Sequence, residues 1–390
     1  RPPAAPTLTT ATADARRAAR AQAALETKHS VRGAMKELRA FEQREPVTPA
    51  ALTATMQKLN PQVGDAVAPL AASLAPVQGG GDRPAPPPQP VLRRPISPPA
   101  GPLPPPLQFT SEQVVSKVRN SDCASSGGPT GHTYLHLRDW FAVDDTYSAT
   151  MTATLNLIMA GNVPESTKAI LNAGRGVVIP KDDAGALRPI VVGHVILRLC
   201  GALSLKLSAG VVDRYFMGGS AKQFGVGVAN GCGLMAGAVE ERMRQGDADT
   251  ITLQADTRNA FNSWDRSVMW DTLSCNFPDL LPLLRLMYGD DGLVFFKSGD
   301  ETTTIKNNVG SRQGCAFGSF LYCLALQPLI LQLQQEFPDI LVVAYCDDVN
   351  FVGNASRVIE AYKRFGQLLN TKLQSEIRPD KTVVWSPSLS

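Results

Sequence analysis

The run LVVAYCDDVNFVG, residues 341–353, constrains this chain more than any other stretch. Leu341 to Tyr345 is continuously apolar and reads as a strand buried on both faces. Apolar character resumes at once with Val349, Phe351 and Val352, leaving little except Asp347 and Asp348 for a connection. A surface turn would more often use Asn-Gly or Asp-Gly, which adopt positive φ cheaply. The expected structure is a tight hairpin inside a packed sheet, with two adjacent carboxylates as its loop. Such a pair needs a cation.

A further acid stands upstream. In TITLQAD, residues 250–256, Ile251, Leu253 and Ala255 alternate with Thr252, Gln254 and Asp256, which puts Asp256 at a strand end on the face opposite the core. Alone it would read as a helix cap. With Asp347 and Asp348 it completes the minimum set for two divalent cations, and oxygen ligands suit Mg²⁺, which takes a few carboxylates plus substrate phosphates. Two such ions can activate a hydroxyl and stabilise a leaving oxygen in phosphoryl transfer. A hairpin is also expected in GVVIPKDDAGALRPIVVG, residues 176–193. If its turn centres on Ala184-Gly185, Lys181 and Arg188 face each other across the strands. Like charges so placed destabilise a hairpin unless an anion such as a triphosphate lies between them.

With 390 residues, 44% of them hydrophobic, the chain has material for two or three domains. A net charge of +3 means that any affinity for nucleic acid must come from local clusters. The seven cysteines are scattered without a CxxC pair, which argues against a zinc knuckle or disulfide framework and suits a reducing compartment. No apolar run approaches about 20 residues, so no membrane span is expected. His132 and His136 lack the Glu of HExxH and read as structural.

Residues 1–75 show helical spacing, with Pro46 and Pro49 separating two segments, and the lack of an initiator Met suggests that the chain begins upstream of Arg1. Residues 76–108 hold thirteen of the 30 prolines and read as a stiff, extended linker. A globular domain is expected over 109–390. Its helices should lie at 111–120, within 152–164, and at 194–209, 230–245, 265–274, 317–336 and 355–370, with a further helix between 274 and 293. Hairpins are expected at 176–193, 293–307 and 341–353, with single strands at 250–256 and 382–385. Helices mixed with mostly antiparallel hairpins make the class α+β.

In this order, from about residue 109 onward, the motifs resemble the reverse transcriptase of non-LTR retrotransposons. LQADTRNAFNSWDR resembles the first acidic motif. That implies Asp256 as a metal ligand, the Thr257 backbone carbonyl as another, and Phe261 as the ring beneath the incoming sugar that excludes a ribose 2′-hydroxyl. SRQGCAFGSFLYCLALQPL resembles the template- and nucleotide-contacting motif centred on Arg312-Gln313-Gly314, which implies that Gln313 and Gly314 lie near the base pair. YCDD resembles the YxDD hairpin carrying Asp347 and Asp348. IRPDKTVVW resembles the closing motif, with Lys381 stabilising or protonating pyrophosphate. PKDDAGALRPI resembles the fingers hairpin that grips the triphosphate through Lys181 and Arg188, and QFGVGVANG also matches a segment typical of this type.

The resemblance implies right-hand polymerase fingers and palm, an antiparallel sheet with packed helices, behind a helical N-terminal segment and a Pro-rich linker. The implied activity is RNA-directed DNA synthesis with two Mg²⁺ ions, Mn²⁺ as a substitute, and an RNA template, a DNA primer and dNTPs as partners. The implied location is intracellular, nuclear with cytoplasmic assembly. The chain stops soon after Lys381, so a thumb is expected to be absent. Cys346 stands where a residue such as Ala is usual, Trp264 where a smaller apolar one is, and Arg378 where Asn is common. None of these removes a metal ligand. An RNA-dependent RNA polymerase would instead show Gly-Asp-Asp and a polar residue for Phe261. The other rival is a domesticated or truncated element that binds nucleic acid without catalysis; the intact Asp256, Asp347 and Asp348 argue against decay of the site, while the expected absence of a thumb argues for a fragment.

Overall fold

A computed structural model describes residues 104–180, 187–298 and 301–386. The segment expected over 1–75, the linker up to residue 103, and Lys181 lie outside these residues. The described part opens with α1 (Ser111–Arg119), α2 (Tyr134–Val143), α3 (Asp145–Met159) and α4 (Glu165–Asn172). Helix α1 starts at a reciprocal cap: Gln113 N–H donates to the Thr110 hydroxyl, and Thr110 N–H donates to Gln113 Oε1. Helix α3 begins earlier than its apolar spacing suggests, because the Asp144 carboxylate accepts the Thr146 N–H and starts it there.

The hairpin β1 (Gly174–Pro180) and β2 (Leu187–Gly193) follows, then α5 (Val195–Leu207), α6 (Ala209–Met217), β3 (Lys222–Gln223) and α7 (Gly231–Arg244). Next come β4 (Thr250–Ala255), α8 (Ala260–Ser263), α9 (Ser267–Asn276), α10 (Leu281–Tyr288), β5 (Gly292–Ser298) and β6 (Glu301–Asn307). The chain continues through α11 (Gly318–Glu336), β7 (Leu341–Tyr345), β8 (Asp348–Asn354), α12 (Ala355–Leu368) and β9 (Val383–Trp385). No single helix among the described residues is long and apolar enough to cross a membrane.

The strands form two sheets, ordered β2-β1-β5-β6 and β3-β7-β8-β4-β9. Only β1–β5 and β3–β7 pair in parallel, and the α+β class holds. In β4, Ile251, Leu253 and Ala255 are buried while Thr252 and Gln254 are half-buried, the alternation the sequence requires. Behind this sheet runs α11, whose Phe320, Leu321, Tyr322, Cys323, Leu324 and Leu326 are almost wholly buried. A helix apolar on all sides belongs inside a core, and α11 packs against α9, α12 and β7. Helix α12 covers the same sheet with Val358, Ala361, Phe365 and Leu368, a stripe at helical spacing.

The smaller sheet has its own cluster of Val191, Val294, Phe296 and Ile305. That cluster sets the β1–β2 register. Gly176 lies opposite Val191, and a Cβ on Gly176 would stand 2.5 Å from the Phe296 ring. Arg188 then pairs with Ile179, not with Lys181 as the sequence suggested. The two registers differ by two residues and leave Val191 on the same face, so burial alone does not choose between them; the observed one sets Val191 opposite Gly176, where the Phe296 ring leaves no room for a side chain.

Candidate active site

The acids gather at one end of the five-stranded sheet. Strand β4 ends at Ala255, which pairs with Val349 of β8, so Asp256 and Asp348 are the next residues on neighbouring strands. Tyr345 pairs with Asp348, and the two residues between them, Cys346 and Asp347, make the turn. The sequence suggested that the two acids were the loop. Instead Asp348 opens β8, because this register keeps Val349 and Phe351 wholly buried. Cys346 has a φ of 55°, and Asp347 is not in the positive-φ region, the sign pattern of a type II′ turn.

Burial raises the Asp347 carboxyl to about 6, helped by the negative charges of Asp348 and Asp256 and opposed by a backbone hydrogen bond and the Arg188 guanidinium. Asp348 is raised as well, by burial and then by Asp256, with the Gln254 side chain working against it. Arg188 is exposed on β2, yet lies close enough to act on Asp347 electrostatically. Beyond Asp256 the chain bridges a loop from the C-terminal side: Arg378 N–H donates to the Asp256 carbonyl at 2.8 Å, and Arg258 N–H to the Glu376 carbonyl at 2.8 Å. Between these bonds Thr257 faces Ile377, its own carbonyl outside the pairing. Lys381 is exposed on a short turn, two residues before Val383, which pairs with Gln254.

Phe261, on α8, tilts at 45° onto the buried Tyr322, their centroids 5.3 Å apart. The Phe261 carbonyl accepts the Ser311 N–H at 2.6 Å, tying α8 to the loop that carries Gln313 and Gly314. That loop is also fastened to the hairpin, since Val191 N–H donates to the Gln313 carbonyl at 2.6 Å. Gly314 has a φ of 104°, and a Cβ there would stand 2.6 Å from the Val191 carbonyl oxygen. The close approach that demands glycine is to β2. Arg312, expected at the centre of the template-contacting motif, points inward: its Nη1 donates to the Asn172 carbonyl at 2.8 Å and its guanidinium lies 5.6 Å from the Tyr288 ring centroid. His132 and His136 stack edge-on beside Trp140.

Three carboxylates, two of them pushed upward by burial and mutual repulsion, suit a hard cation with oxygen ligands. Among the described residues no three His, Cys, Asp or Glu side chains stand together closely enough to hold an ion by themselves. That fits a cation completed by water and substrate phosphate better than one held in a closed protein cage. Sequence reasoning did not single out Gln223, Gln254 or Tyr322. Only the segment match in QFGVGVANG touched the first of them.

A family model described as "Reverse transcriptase (RNA-dependent DNA polymerase)" matches residues 179–389, more than half of the chain. The chain belongs to the reverse transcriptase family. Membership identifies the five-stranded sheet with its acids as the palm and the β1–β2 hairpin as part of the fingers. The retrotransposable element SLACS 132 kDa protein of Trypanosoma brucei gambiense is 28% identical over 172 residues, which cover 42% of this chain and 14% of that protein. The match therefore spans only a small part of this curated relative. Two solved telomerases are also similar. Apo telomerase from Candida tropicalis has 13% identity and a TM-score of 0.44, over 58% of this chain and 45% of that one. Telomerase from Candida albicans, in complex with a TWJ fragment of telomeric RNA, has 14% identity and a TM-score of 0.43 over the same shares.

Proposed function

We propose that this chain carries an RNA-directed DNA polymerase of the non-LTR retrotransposon type, adding dNTPs to the 3′-hydroxyl of a DNA primer on an RNA template. The observation that carries the reading is the convergence of Asp256, Asp347 and Asp348 at one sheet end, with Asp347 raised to about 6. Asp256, Asp347, Asp348 and the Thr257 carbonyl would hold two Mg²⁺, or Mn²⁺ in their place. When bound, the ions supply charge neutralisation at the attacking and leaving oxygens. Raised carboxylates bind protons or cations to relieve each other, so at neutral pH they favour the metal-bound state.

Arg188, together with Lys181, would hold the β- and γ-phosphates. Phe261, backed by Tyr322, would close the space that a ribose 2′-hydroxyl needs. Gln313 and Gly314 would place backbone beside the nascent base pair, and Lys381 would meet the pyrophosphate charge. The test is primer extension on an RNA template with Mg²⁺, wild type against Asp347→Asn. Template-dependent, metal-dependent DNA synthesis by the wild type alone supports the reading. Equal extension by both proteins would remove the acids from it.

A further inference from the structure

The turn that carries Asp347 holds Cys346 at a φ of 55°, a left-handed conformation that a residue with a Cβ adopts reluctantly. Its peptide groups are met from another strand. Gln223 Nε2 donates to the Cys346 carbonyl at 3.0 Å, while Gln223 Oε1 accepts the Cys346 N–H at 2.8 Å and the Gly225 N–H at 3.0 Å. Gln223 is wholly buried and Cys346 half-buried, so the amide's own polar atoms have these bonds in place of water. The reach is possible because β3 runs parallel to β7, with Gln223 opposite Ala344 and Phe224 N–H donating to the Ala344 carbonyl at 2.7 Å. The strand then passes so close that a Cβ on Gly225 would stand 2.3 Å from the Cys346 nitrogen.

We propose that Gln223 is a positioning residue for the polymerase reaction: its amide clamps the Cys346 peptide and thereby fixes where Asp347 stands. The inference rests on the function proposed above. Asp347 follows Cys346 directly, so any relaxation of the Cys346 backbone swings its carboxylate relative to Asp256 and Asp348. Misplacement of a metal-holding carboxylate lowers the rate of the step more than the affinity for the nucleotide. The side chain is chemically specific. Glutamate has no donor for the Cys346 carbonyl and adds a charge beside two acids, and asparagine is one methylene too short.

The experiment compares Gln223→Met, which keeps length and shape without the amide, with Cys346→Gly and with the double variant. Two quantities are read: amide hydrogen exchange at Cys346 in the metal-free protein, and kcat and KM for dNTP in primer extension. Gln223→Met should speed exchange about tenfold or more, and lower kcat by about 10- to 100-fold while KM moves little. Cys346→Gly in that background should restore most of kcat, because glycine adopts positive φ freely. Wild-type exchange or wild-type kcat in Gln223→Met would overturn the proposal, as would a double variant no faster than the single one. Since the replacement preserves shape, failure of Gln223→Met to fold in either background also overturns it. The exchange measurement needs no polymerase activity. Loosened exchange in a chain whose wild type makes no DNA would therefore sink the polymerase reading separately from the clamp.

Discussion

The protein buries like charges in two places and treats them differently. Behind the β1–β2 hairpin, Arg266 and Arg312 are both buried, their guanidinium groups 5.0 and 5.6 Å from the Tyr288 ring centroid. Arg266 donates to the Gly310 carbonyl at 2.7 Å and to Asn307 Oδ1 at 2.6 Å, and Arg312 to the Asn172 carbonyl. Burial, then the neighbouring Arg312, lowers Arg266 to about 9, yet most of the positive charge is met by oxygens and a ring face from within the fold. At the palm end the acids have little from within: Gln254 for Asp348, a backbone bond and the charge of the exposed Arg188 for Asp347. The first cluster is a joint and the second is left open for a visitor. Burial of charge alone does not mark a site. Burial of charge that the fold leaves uncompensated does.

The sharpest way to break this contrast is to neutralise one member of each cluster. Asp347→Asn should reduce metal-dependent synthesis by about 10³-fold or more, while the metal-free protein melts no lower than wild type at pH 7. Primer extension and thermal unfolding check the two halves. Arg266→Met should do the reverse in stability, costing about 2–4 kcal/mol in urea unfolding, because the Gly310 and Asn307 oxygens lose their donor. If both substitutions destabilise equally, the distinction between joint and site fails.

The pH dependence refines the same point. Asp347 has a folded value of about 6 against an unfolded 3.8, so its stabilising contribution is complete below about 3.8 and is lost as pH rises through 6. The stability difference between metal-free wild type and Asp347→Asn should therefore move against the wild type from pH 4 to 7. The shift is at most about 3 kcal/mol, less after screening by solvent. Urea midpoints at fixed ionic strength measure it. A difference that stays flat with pH would show that Asp347 is not raised. The smallest effect concerns selectivity: Phe261→Val should reduce the preference for dNTP over rNTP by about tenfold, read as a ratio of kcat/KM. An unchanged ratio removes Phe261 from sugar discrimination.

Much of this was legible in the sequence, and the boundary has physical causes. The three acids declared themselves only together: Asp256 alone reads as a helix cap, and it is the pair Asp347 and Asp348 between apolar strands that completes a set for cations. The helices at α5, α7, α9, α11 and α12 followed from apolar spacing and caps. Helices α2, α4 and α6 escaped, and α2 shows why: Leu135, Trp140 and Val143 are exposed while Tyr134 and Leu137 are buried, so no single apolar stripe marks it. The pairing of Arg188 was misjudged because the register sets Val191 opposite Gly176, beneath a Phe296 ring contributed by a strand distant in sequence. Arg312 stands at the centre of the template-contacting motif with no role assigned to it, since an arginine gives no sign in sequence of whether it faces outward or lies on a buried tyrosine. Gln223 gave no periodic signal at all, because its partner is a backbone peptide rather than a side chain.

The Gln223–Cys346 contact joins residues 123 apart in the chain. Hairpin β7–β8 closes a two-residue loop, and local hairpins form within microseconds. The final geometry of its tip must wait for β3 to arrive alongside β7, a pairing burdened by the entropy of closing a long loop. The acid-bearing turn thus depends on one local closure and one pairing of high sequence separation. The strands' register is a local property of residues 341–354, whereas the place of the carboxylate they carry is a property of the whole palm.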